Sequence, residues 1–146
     1  MPSTLAIQIR QTGPATSEAG IRQHKVLIDR PTAKGGDDQG AMGGELFLAS
    51  IGGCFMSNLL AAIRAREADV SGVRTEVIGS LTEAPARFSA IELCVSANYS
   101  DRDLFEKLVK IAEQGCVMVN TLRGTLELTT RIGSPTAEPK QARAAT

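Results

Sequence analysis

The chain has 146 residues, room for one modest domain, and its 42% hydrophobic content argues for a folded globule. Sixteen basic and sixteen acidic side chains cancel, so no net field draws the chain to nucleic acid or to an anionic membrane surface. Aromatic residues make up 3% and tryptophan is absent, which also excludes a base-stacking platform.

Residues 4–10 alternate apolar and polar, as a half-buried strand does. Residues 23–29 predict a second strand, after a turn-rich stretch over 12–20. Residues 31–44 read as a loop with five glycines. It lacks the GK[ST] ending of a phosphate cradle and the strand–loop–helix fingerprint of a dinucleotide site. Residues 45–67 predict a long apolar helix. Within it, Leu46 to Ile63 is 18 residues without a formal charge, the lower limit for a membrane span. Its glycines, serines and Asn58 fit a buried helix better.

Residues 73–83 and 87–98 alternate on either side of Ala84-Pro85-Ala86 and predict an antiparallel pair. Ser100 is placed to cap a second helix with an apolar stripe of Leu104, Leu108 and Ile111. Gly115 interrupts it, and 116–123 reads as a further short helical piece. A last strand over 125–132 precedes a polar tail. The order β-β-α-β-β-α-β predicts an α+β fold, with one domain over 1–133 and a flexible tail over 134–146. The first helix is too apolar for a small monomer to cover, which implies a second chain packed on it.

Three cysteines, with no CxxC and a single histidine, do not make a disulfide-stapled secreted fold or a zinc site. The first residues do not read as a signal peptide, so a reducing cytoplasm is expected. Cys54 lies in mid-helix after Gly52 and Gly53. Each glycine costs a helix roughly 1 kcal/mol against alanine, and the close approach of another backbone would explain them. Helical geometry puts Ser50, Ser57 and Asn58 on the face of Cys54. The pattern leaves Cys54 open between a packed thiol and a reactive one. Cys116 follows the second helix beside Val117 and Val119, and packing accounts for it equally well. Cys94 points to the sheet face opposite Ile91, Leu93 and Val95, with nothing polar organised around it, and reads as structural.

The run IDRPTAKGGDDQGAMGGELFLASIGGCF resembles the signature of the OsmC/Ohr family, and IAEQGCVMVNTL resembles its second-cysteine segment. The strand RFSAIELCVSANY fits between them, so the resemblance covers roughly 23–132. It implies an intertwined homodimer with its central helices packed together. It also implies a thiol-dependent peroxidase that reduces organic hydroperoxides, and hydrogen peroxide less well. Cys54 would attack, become a sulfenic acid and be captured by Cys116 as a disulfide. A dithiol such as dihydrolipoamide would reduce the disulfide. No metal or other cofactor is implied. The chemistry agrees, because O–O cleavage needs a thiolate and a sulfenic acid is best protected by a nearby thiol. A non-catalytic or small-molecule-binding member of the same fold is the competing reading. The absence of CxxC disfavours a general thiol–disulfide exchanger.

In the family, an arginine held by a glutamate lowers the thiol pKa. Glu45, nine residues before Cys54, matches the glutamate of the broader OsmC-like branch; the hydroperoxide-resistance branch would have it at Gly44. A first-turn acid suiting the helix dipole is the plainer account of Glu45. Nine residues of regular helix turn about 900° and rise roughly 13 Å, which puts Glu45 on the side opposite Cys54. Glu45 is therefore expected to serve the second chain's Cys54. Arg30 is the first choice for the arginine, with Arg22 and Arg10 as alternatives. Val117 stands where the family often has proline after the second cysteine.

Overall fold

The computed structural model describes residues 2–134, and the tail expected beyond 134 lies outside them. The chain divides into two compact units, with the boundary between Phe47 and Leu48. A long helix, α1 (Gly43–Ala65), runs across that boundary.

The first unit is an antiparallel three-stranded sheet in the order β1 (Gln8–Gln11), β2 (Ser17–Ile21) and β3 (His24–Ile28). β2 occupies part of the stretch expected to be turns. Its sequence, SEAGI, carries little alternation, and it is a strand because ladders on both sides pair it. A loop with a short 3-10 turn at Thr32–Lys34 then leads to α1. The loop is tied to the sheet by the buried carboxylate of Asp29. Thr16 Oγ1 donates to it at 2.8 Å, and the backbone N–H groups of Arg30, Asp37 and Gln39 donate at 2.6, 3.4 and 3.2 Å. Gly36 passes so close to Arg30 O and Asp29 Oδ1 that a β-carbon would collide with both.

The second unit is a sheet in the order β4 (Val70–Glu83), β5 (Ala86–Tyr99) and β6 (Glu127–Ile132). β4 and β5 form the expected hairpin, while β6 returns parallel to β5. A parallel return needs a crossover. Here it is α2 (Arg102–Gly115) followed by α3 (Val117–Leu122). The cap of α2 is Asp101 rather than Ser100, its carboxylate accepting from Leu104 N–H at 3.1 Å. The buried stripe of α2 is Phe105, Leu108, Val109 and Ala112, while Ile111 faces outward.

These side chains close a core with Ile91, Leu93 and Val95 of β5 and with Ile51, Phe55 and Leu59 of α1. Each such side chain contributes roughly 1.5–3 kcal/mol on burial. α1 is long and apolar enough to cross a membrane, but one of its faces is spent on this core. The fold is α+β as expected, with β2 added to the expected order and the short helical piece read over 116–123 present as α3.

Candidate active site

Cys54 and Cys116 lie together. Cys54 is on α1, partly exposed, and Cys116 is fully buried in the junction between α2 and α3. α2 ends at Gly115, and Cys116 adopts an extended conformation that makes it the N-cap of α3. The junction brings the start of α3 over the Cys54 sulfur. Burial pushes the Cys54 thiol up, but hydrogen bonds from the Met118 N–H, the Cys116 thiol and the Val117 N–H outweigh it and hold Cys54 below its ordinary value. Cys116 moves the other way. Burial raises it first, the Val119 N–H opposes, and its hydrogen bond to Cys54 and the charge there raise it further. The pair is thus polarised: an accessible sulfur that ionises early accepts from a buried thiol that keeps its proton.

Sequence reasoning missed the two N–H donors. Their signal was present in the short helical piece at 116–123, since the free N–H groups of a helix start favour an anion. Val117 supplies one of these N–H groups, which a proline at this position would lack.

The polar face around Cys54 resolves into separate roles. Asn58 Nδ2 donates to Cys54 O at 2.9 Å and reaches Cys54 Sγ at 3.9 Å. Ser57 Oγ instead donates to Gly53 O at 3.0 Å. The two glycines also differ. A β-carbon on Gly52 would lie 2.6 Å from Val77 Cγ2, so a side chain approaches rather than the backbone expected; a β-carbon on Gly53 would meet nothing.

Cys94 is less isolated than its pattern suggested. It pairs in register with Arg131 on β6, whose Nε donates to Glu92 Oε1 at 2.8 Å. It lines a cavity of about 900 Å³ with Gly53, Met56, Val77, Ser96 and Arg131.

The other expected residues belong to the first unit. Glu45 is exposed in the first turn of α1, and its Oε1 accepts from Met42 N–H at 2.9 Å. That bond satisfies one of the free donors of the helix start. Arg10 is paired with Glu18 at 2.9 Å. Arg22 sits in the β2–β3 turn at φ 55°. Arg30 is exposed and lines a cavity of about 440 Å³ with Ser17, Asp29, Lys34, Gly43 and Gly44. Among the described residues no three His, Cys, Asp or Glu side chains gather as metal ligands.

A family model described as OsmC-like protein matches residues 36–131. No curated protein matches the chain. Solved structures do. An OsmC-like protein from Mycoplasma pneumoniae superposes with a TM-score of 0.79 at 15% identity, over 92% of this chain and 99% of that one. An organic hydroperoxide resistance protein from Elizabethkingia anophelis gives 0.68 at 21% identity, over 92% and 100%. The organic hydroperoxide resistance protein OhrB of Bacillus subtilis gives 0.61 at 19%, over 88% and 98%. At such identities the likeness to these structures bears on the fold.

Proposed function

The chain belongs to the OsmC-like protein family, and on that premise we propose that it is a thiol-dependent peroxidase acting on organic hydroperoxides. One observation carries the reading: a partly exposed Cys54 with lowered pKa touches a fully buried Cys116 with raised pKa. A peroxide reaches only the first sulfur, and that sulfur is the nucleophile.

The Cys54 thiolate attacks the distal peroxide oxygen. The O–O bond breaks, the alkoxide leaves and takes a proton, and Cys54 becomes a sulfenic acid. That step removes the negative charge that raises Cys116. The Cys116 sulfur then attacks Cys54, an S–S bond forms, and the sulfenic oxygen leaves as water. A dithiol such as dihydrolipoamide returns both thiols and is itself oxidised to its disulfide. Cumene hydroperoxide is expected to remove the titratable thiols of Cys54 and Cys116 in the intact chain and to leave the Cys116 thiol titratable in Cys54→Ser. Equal loss in both proteins would end the reading.

We also propose a cytoplasmic homodimer. The three cysteines are unpaired. The outward face of α1 carries Ala49, Gly53 and Leu60, and the first unit exposes Ile7 and Ile9. In this dimer Glu45 and Arg30 of one protomer serve Cys54 of the other. Arg30 is preferred over Arg10, whose guanidinium is committed to Glu18. Chains carrying Glu45→Ala and chains carrying Cys54→Ser are each expected to be inactive alone, and activity returns when they are mixed. Failure to recover in a verified heterodimer would remove Glu45 from the site.

The cavity beside Cys94 favours one second reading, a member of the fold that binds a small apolar molecule without turnover. That reading predicts no peroxide-dependent loss of thiol.

A further inference from the structure

We propose that Asn58 is a positioning residue for the Cys54 sulfur and ties it to the Gly115–Cys116 junction. The inference rests on the reading of Cys54 as the attacking sulfur. Asn58 follows Cys54 by one helical turn, and side chains on a helix lean back toward the N-terminus, so its amide overhangs Cys54. An amide nitrogen carries two protons. One is anchored on Cys54 O at 2.9 Å and the nitrogen also reaches Sγ at 3.9 Å, the long end of the range for a sulfur acceptor.

The carbonyl that accepts from Asn58 is a main-chain group of α1, so the bond adds little to the helix. Its consequence is that the amide has one orientation. The other end of that amide faces the second cysteine's segment: a β-carbon on Gly115 would stand 2.9 Å from Asn58 Oδ1. Gly115 has no positive φ that demands glycine. The bare Cα is instead required by the approach of Asn58. The side chain therefore spans the gap between the attacking sulfur and the residue preceding the resolving one. It acts on the reaction through Cys54 by giving the thiolate a donor and holding the sulfur toward Cys116.

A purely structural role and a positioning role separate under substitution. Asn58→Asp keeps the shape against Gly115 but replaces the donor with a carboxylate. Asn58→Ala removes both. Gly115→Ala leaves Asn58 in place and displaces its amide.

The test is the pH profile of Cys54 alkylation by iodoacetamide in the full chain, resolved by mass spectrometry so that Cys94 and Cys116 do not contribute. Asn58→Ala is expected to raise the midpoint by about half a pH unit, roughly threefold less thiolate at neutral pH. Asn58→Asp is expected to raise it further, by about one unit, because a negative charge then faces the sulfur. Gly115→Ala should match Asn58→Ala and add nothing to it in the double variant. If Asn58→Ala titrates like the parent, Asn58 only fills space and the inference is overturned. A parent chain with an ordinary thiol midpoint would instead overturn the peroxidase reading. In that case the Asn58 contact is still decided by whether Asn58→Ala shifts the midpoint.

Discussion

Cys54 and Cys94 belong to the same unit and are both partly exposed, yet their surroundings are built from different materials. Cys94 has the arginine. Arg131 stands next to it in register, but the guanidinium donates to Glu92 at 2.8 Å. Cys54 has no guanidinium among its causes of pKa change, and it is lowered by two backbone N–H groups and a thiol. A neighbouring guanidinium therefore does not by itself mark an attacking cysteine. Fixed backbone donors support a thiolate from within the protomer, and they need no rearrangement as charge appears.

The comparison breaks most visibly if the wrong sulfur reacts. Cys54→Ser is expected to abolish peroxide-dependent loss of thiol, whereas Cys94→Ser keeps the rate within about twofold, as a substitution away from the reacting atoms should. Stopped-flow assays with cumene hydroperoxide would register either outcome.

A smaller effect separates the two kinds of support. Proline suits the first position of a helix and lacks only the N–H. Val117→Pro therefore deletes one donor to Cys54 with little other change, and is expected to raise the Cys54 midpoint by about half to one pH unit. Arg131→Gln should leave that midpoint in place. If Arg131→Gln moved it and Val117→Pro did not, the contrast between the two corners would be reversed.

The least of the expected effects extends the contrast to an acid in the first unit. Asp29 is raised by burial but lowered by the Thr16 hydroxyl and by the N–H groups of Arg30, Gln39 and Asp37, and the balance lies below its ordinary 3.8. A depressed folded-state pKa contributes stability that is complete above the unfolded value and is lost as pH falls through the folded one. Acid from pH 3.8 downward should therefore loosen the loop over 30–39. Amide exchange at Arg30, Asp37 and Gln39 would report it, and Thr16→Val should bring the onset to higher pH.

Much of this architecture was legible in the sequence, and the gaps have physical reasons. The hairpin of β4 and β5 was readable because its alternation is long and bounded by Ala84-Pro85-Ala86. α1 was readable from its unbroken apolar run. β2 was not, because partners on both sides hold Ser17–Ile21 in the sheet with little apolar alternation. On the stripe of α2, Leu108 was placed rightly but Leu104 and Ile111 were each one position early, since their neighbours Phe105 and Ala112 are also apolar and only packing chooses between them. At the site, the two cysteines came from a family resemblance; helix periodicity grouped Asn58 with Cys54. No local pattern says that a junction 62 positions further on returns to the same sulfur. That contact is tertiary, and so are the N–H donors that come with it.

The central claim is that folding lowers the Cys54 thiol below its ordinary value and so makes it the more readily ionised sulfur of the pair. Its most direct test is the rate of sulfenic acid formation at Cys54 with cumene hydroperoxide, followed across pH in the full chain. The account predicts a rate that rises and then levels off below the ordinary thiol range near about 8.5. A rate that keeps climbing tenfold per pH unit up to that range would mean an unactivated thiol, and would contradict it.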